Sequence, residues 1–246
     1  MEEVLIIYLI NYCMRKTTHT SDRPGRPLFS PTRDARAQLL NAAAVLFAQQ
    51  GIAATSLSSI AKRARLTPAM VHYYFEDREA LLNAVVDERL VPFITYVWDP
   101  VEPGDDPVEM IRGVVQRLLS GIEKAPWVPN TWMREILNEG GLLRTKVLRH
   151  IPVEKVRLVG AAIHAGQKKR SLNSELDPLL YVFSAIGLVM LHMATLKVWS
   201  DIFHRRAPGV DEMQRHVTAL LLDGLRHPSH AAADRQRTKR ASRRKP

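Results

Sequence analysis

The sequence predicts an all-α protein in which a short N-terminal helical unit precedes a larger helical domain. Apolar residues from Arg33 onward recur at helical spacing almost throughout. No segment alternates apolar and polar residues long enough to argue for a strand. Glycines and prolines fall where helices of ordinary length would end: Gly51, Pro92, Pro100 to Pro107, Pro126, Gly140 and Gly141, Pro152, Ser171 to Pro178, Pro208 and Gly209, and Pro228.

Residues 1–32 read as a disordered arm. The apolar run from Val4 to Ile10 is too short to span a bilayer. Its acidic start and the lack of a small-residue cleavage site argue against a secretory signal. Met14, followed by Arg15 and Lys16, is a more ordinary beginning, and the expectation is that translation starts there. Pro24, Pro27 and Pro31 then punctuate a polar stretch without periodicity.

Four short helices follow. In the first, Leu39, Ala43, Leu46 and Phe47 form one face, and Gly51 supplies the left-handed stop. Thr55 or Ser56 caps the second, whose inward face is Leu57, Ile60, Ala61 and Ala64. Thr67 caps the third, with Pro68 at its first position, where a missing N–H costs nothing. Asp77 caps the fourth, carried by Leu81, Leu82, Val85 and Val86 to about Val91. Two helices joined by a turn of three or four residues, over about 55–74, make a helix-turn-helix whose second member would enter a DNA major groove.

The stretch 33–93 resembles the TetR family of bacterial regulators. The resemblance rests on LLNAAAVLFAQQG at 39–51, then Thr55, Ile60 and Ala61, Ala64, and Phe75, Arg78, Leu81 and Leu82. Two departures stand out. Arg65 occupies the turn where the family usually has glycine, and a left-handed arginine costs about 1–2 kcal/mol. His72 replaces the family's tyrosine, and Tyr74 its histidine; both keep a ring with a polar tip.

With that resemblance, Thr67, Ala69 and Met70 are expected at base edges, where Ala and Met offer only apolar contact. Lys62, Arg63, His72 and Tyr73 suit phosphates. Thr55 and Tyr74 hold family motif positions, and Arg78 matches the family's phosphate-contacting basic residue. For His72 and Tyr74, simple packing of the helix end stays open. In the arm, Arg23-Pro24-Gly25-Arg26-Pro27 resembles an AT-hook core, placing Arg26 in a narrow minor groove; a solvated linker is the competing reading.

Charge agrees with a polyanionic partner. The net charge is +10, with ten Lys/Arg against five Asp/Glu in residues 15–80 and seven Lys/Arg with no acid in 235–246. The intervening residues are balanced. A partner that meets the ends and not the middle explains this; the tail, 228–246, also reads as a disordered, merely solubilising end.

The larger unit, 94–227, contains helices near 107–124, 126–138, 142–150, 152–168, 177–203 and 210–226. From Leu179 to Leu196 only Ser184, Gly187, His192 and Thr195 interrupt an apolar run. By length it could span a membrane, so a membrane-associated or structural helical protein is the alternative function, which solubility without detergent discriminates. Burial on every side at the centre of a dimer is the favoured reading. The resemblance implies that 177–203 and 210–226 pair with the same helices of a second copy, setting two recognition helices about 34–36 Å apart, or a multiple, on a palindromic site.

It also implies a small-molecule pocket, with candidate walls Phe93, Tyr96, Trp98, Trp127, Trp132, Met133, Phe183, Met190, His192 and Met193. Ordinary core packing competes at each position. Coupling to DNA would run through the fourth helix, 77–91. Enzymatic motifs are missing: no Gly-rich phosphate loop, G-x-S-x-G or H-E-x-x-H, and a single cysteine, Cys13. No catalytic residue, cofactor or metal site is expected. The sequence therefore predicts a cytoplasmic, homodimeric regulator of double-stranded DNA, a repressor released from its operator by a small, largely apolar effector.

Overall fold

The computed structural model describes residues 33–225; the arm with Arg26, the start at Met14 and the basic tail lie outside them. The helices are α1 (Arg33–Gln50), α2 (Leu57–Arg63), α3 (Pro68–Tyr74), α4 (Arg78–Val85), α5 (Val91–Trp98), α6 (Pro107–Lys124), α7 (Val128–Thr131), α8 (Arg144–Leu148), α9 (Val153–Lys168), α10 (Pro178–Phe203) and α11 (Val210–Leu225). No strand occurs among the described residues, so the all-α expectation holds.

Local chemistry explains most boundaries. Gly51, at φ +83°, ends α1 in the left-handed region. Ser56, rather than Thr55, caps α2 by accepting the Ser59 N–H at 3.1 Å. Asp77 caps α4 through the Ala80 N–H at 2.7 Å, and Asp106 and Asp177 do the same for α6 and α10.

Pro92 does not end a helix. The chain stays helical from Arg78 to Trp98, passing through a π-helical turn at Val86–Leu90. Proline lacks an N–H, and its ring presses on the carbonyl four residues back. The wider turn, closed by the Val91 N–H on the Val86 carbonyl, accommodates it. A second π turn, Trp132–Ile136, continues α7.

One continuous core joins both units. Leu39, Phe47, Ile60 and Leu81 are buried in the N-terminal helices. Central to the rest is α6, which buries Val114, Val115, Leu118, Leu119 and Ile122 and packs against α5, α9, α10 and α11. Helix α7 brings the larger unit up to α1.

Within one chain α10 is not buried on every side. It turns Tyr181, Val182, Ala185, Val189 and Met190 inward and leaves Leu180, Phe183, Leu191, Val198, Ile202 and Phe203 exposed. The Tyr181 hydroxyl donates to the Leu221 carbonyl at 2.7 Å, pinning α10 to α11. Burial raises its pKa, so it stays a neutral donor.

Candidate nucleic-acid interface and cavity

Helix α3 is held by one side and open on the other. Val71 is buried within it, and Phe75 is buried at its C-terminal end. Thr67, Pro68, Ala69 and His72 are exposed, and Tyr73 is 66% exposed. Met70 and Tyr74 are half-buried, and Tyr74 meets Tyr73 edge-on with ring centroids 5.1 Å apart. Tyr74 also packs against the core, so the packing reading applies to it and not to His72.

The turn between α2 and α3 adds charge to this face. Arg65 has φ +57°, as its place in the turn required. The Leu66 N–H reaches the Ala61 carbonyl at 2.9 Å and the Arg65 N–H the Lys62 carbonyl at 3.1 Å, a pattern that closes a helix through a left-handed residue. Lys62, Arg63 and Arg65 are all exposed beside α3. In the sequence Arg65 stands out as a departure from the family turn; the alternation Lys62-Arg63-x-Arg65 is the signal that it adds a third exposed cation to this face. Arg65→Gly should raise stability by about 1 kcal/mol, visible in thermal unfolding. If the guanidinium faces phosphate, the same variant should lower the slope of log K against log salt by about one.

Two predicted contacts are placed differently. Thr55 is 1% exposed. Its hydroxyl donates to the Gly51 carbonyl at 2.7 Å and accepts from the Gln50 side-chain amide at 3.2 Å, so it holds the turn and has no reach to DNA. The Arg78 guanidinium is turned inward. It donates to the Thr55 carbonyl at 2.8 Å and to the Ile52 carbonyl, tying the start of α4 to the turn between α1 and α2.

A cavity of about 360 Å³ lies in the larger unit. Phe93, Trp98, Trp132, Met133, Phe183 and Met190 line it, together with the flank of Arg144. The Arg144 Nη1 is engaged by the Ile136 and Leu137 carbonyls, both at 3.0 Å, leaving an almost wholly apolar wall. Four other expected wall residues lie elsewhere. Tyr96 is on the opposite face of α5, its ring 5.5 Å from the Lys124 ammonium. Trp127 precedes α7, and Met193 sits nearly one turn beyond Met190; neither lines the cavity. His192 faces α11, its ring 5.8 Å from that of His216, in a separate, more polar cavity of about 600 Å³ with Trp199, Arg205, Arg206 and Glu212.

The two units are linked by polar ties that sequence reading missed. The Glu135 Oε1 accepts the Ile52 N–H at 2.9 Å, and Lys146 pairs with Glu79 and donates to Asn83 Oδ1 at 2.8 Å. These partners lie 83, 67 and 63 residues apart in the chain, beyond the reach of any local pattern.

Residues 39–85 match the family model for bacterial regulatory proteins of the tetR family. The chain is 25% identical over 199 residues to the HTH-type transcriptional regulator AcrR of Shigella flexneri, covering 80% of each chain. It is 23% identical over 214 residues to the HTH-type transcriptional repressor KstR2 of Rhodococcus jostii, covering 85% of this chain and 95% of the relative. Among solved structures, the ketosteroid transcriptional regulator KstR2 of Mycobacterium tuberculosis superposes with a TM-score of 0.62 at 18% identity, covering 80% of this chain and 96% of that one. With its α2–α3 pair inside the matched segment and α3 presented to solvent, the chain carries a tetR-family DNA-binding segment and is similar over most of its length to transcriptional regulators of that family.

Proposed function

We propose that the protein is a homodimeric repressor that binds a palindromic operator through α3 and is released by a small apolar effector held in the 360 Å³ cavity. The observation that carries this reading is the exposure of Thr67, Ala69, His72 and Tyr73 on a short helix anchored by one buried valine. Thr67, Ala69 and the half-buried Met70 face base edges, while Lys62, Arg63, Arg65, His72 and Tyr73 face phosphates. Residues 33–93 act as the DNA-binding unit and 94–227 as the effector and dimerisation unit, with the arm and basic tail adding backbone affinity.

The effector class follows from the walls. An aromatic and methionine lining with no uncommitted carboxylate selects an apolar molecule, in keeping with a relative described as a ketosteroid regulator. The exposed apolar face of α10, with α11 beside it, is where a second copy docks. That helix is also long and apolar enough to cross a membrane; recovery without detergent separates the two readings, and a cytoplasmic dimer needs none.

Fluorescence anisotropy with duplexes from the region upstream of the gene tests the proposal. A specific site should bind with Kd of about 10⁻⁸ M or tighter at physiological salt, and apolar ligands, not polar ones, should release it. Equal affinity for a random duplex would overturn it.

A further inference from the structure

The one buried charged side chain among the described residues is Glu135, at 7% exposure. A buried carboxylate persists only when hydrogen bonds satisfy it, and both oxygens here are used by backbone. Oε1 accepts the Ile52 N–H at 2.9 Å, and Oε2 accepts the Leu142 N–H at 3.2 Å. Gly141 permits this approach, because a β-carbon there would overlap the backbone of Glu135. The left-handed Gly51 delivers the Ile52 N–H into the site.

The backbone of Ile52 is thus held on both sides. Its N–H is held by Glu135 from the larger unit, and its carbonyl by Arg78 from α4. Ile52 opens the turn that leads into α2. On the other side, Glu135 belongs to the π turn 132–136, whose Trp132, Met133 and Ile136 line the cavity. One five-residue turn therefore touches the cavity with three side chains and the turn leading into the helix-turn-helix with a fourth.

We infer that Glu135 is the positioning residue that couples cavity occupancy to the helix-turn-helix: an occupant displaces the π turn, and the displaced carboxylate releases the Ile52 N–H. This rests on the cavity being the effector site. It differs from coupling through the fourth helix alone, since the contact goes directly to the α1–α2 turn. Coupling of this kind requires a differential interaction with two states; the π turn, whose Leu137 N–H bonds to the Trp132 carbonyl five residues back at 2.9 Å, is the element with an alternative α-helical register.

The test uses the full chain, an upstream duplex and N-phenyl-1-naphthylamine, a neutral apolar dye, as the cavity probe. In the unsubstituted protein the dye should weaken duplex binding about ten-fold or more. In Glu135→Leu, which keeps the bulk of the side chain but removes both acceptor oxygens, the dye should bind with unchanged affinity while the coupling ratio falls toward one. Met190→Trp, which fills the cavity from α10 without any ligand, should raise hydrogen exchange in the 51–56 segment roughly ten-fold, and no further when combined with Glu135→Ala. If Glu135→Leu keeps full coupling, or if Met190→Trp leaves exchange at 51–56 unchanged, the inference falls while the effector reading stands. If the dye binds the unsubstituted protein without altering duplex affinity, the effector reading falls and takes the inference with it.

Discussion

Arg78→Ala should lower the melting temperature by roughly 6–12 °C and weaken specific DNA binding, yet leave its salt dependence unchanged. The guanidinium donates to two carbonyls of the α1–α2 turn, and hydrogen bonds to a charged partner are worth about 1.5–3 kcal/mol each. A net loss of about 3 kcal/mol corresponds to that thermal shift for a chain of this size. Lysine should not rescue, because a single ammonium cannot reproduce the fork that spans both carbonyls. Thermal unfolding and anisotropy across a salt series check this. A phosphate contact would give a different signature, with stability kept and the slope reduced by about one.

The second large effect concerns dimerisation. Leu191 and Ile202 are 53% and 64% exposed on α10, so replacing both with arginine leaves the single chain's own packing intact. Charges on that face oppose its burial against a second copy. Sedimentation of the double variant should report one 27.9 kDa chain, with the helical circular dichroism kept. Affinity for a palindromic duplex should drop by about 10²–10⁴, the avidity that two linked recognition units provide. A dimer that survives both substitutions would place the interface elsewhere.

The sequence was most informative where the physics is local. Gly51, Thr67-Pro68 and Asp77 mark helix ends through groups within a few residues, and the structure keeps all three boundaries, although Thr67 stands at the N-cap without a side-chain cap bond. Arg65 was legible as strained because its place in the turn set its φ. Pro92 misled, since whether proline breaks a helix depends on whether a π turn forms before it. Arg78 and Glu135 were illegible as turn-holding residues because their partners lie 26 and 83 residues away. The cavity was half legible. Aromatic and methionine content marks a region, but helix rotation decides that Phe93 faces in and Tyr96 faces out. The apolar run of α10 was legible as a helix needing cover at the centre of a dimer, and a single chain does leave one face of it exposed.

Hydroxyl-radical footprinting of the upstream DNA tests the central claim, that α3 of a paired protein reads a duplex groove. The account predicts two protected patches related by a dyad, centred about 10–10.5 bp apart or a multiple of it. Tyr73→Asp, at a position 66% exposed, should erase both. Protection without two-fold symmetry, or protection that persists in Tyr73→Asp, would contradict it.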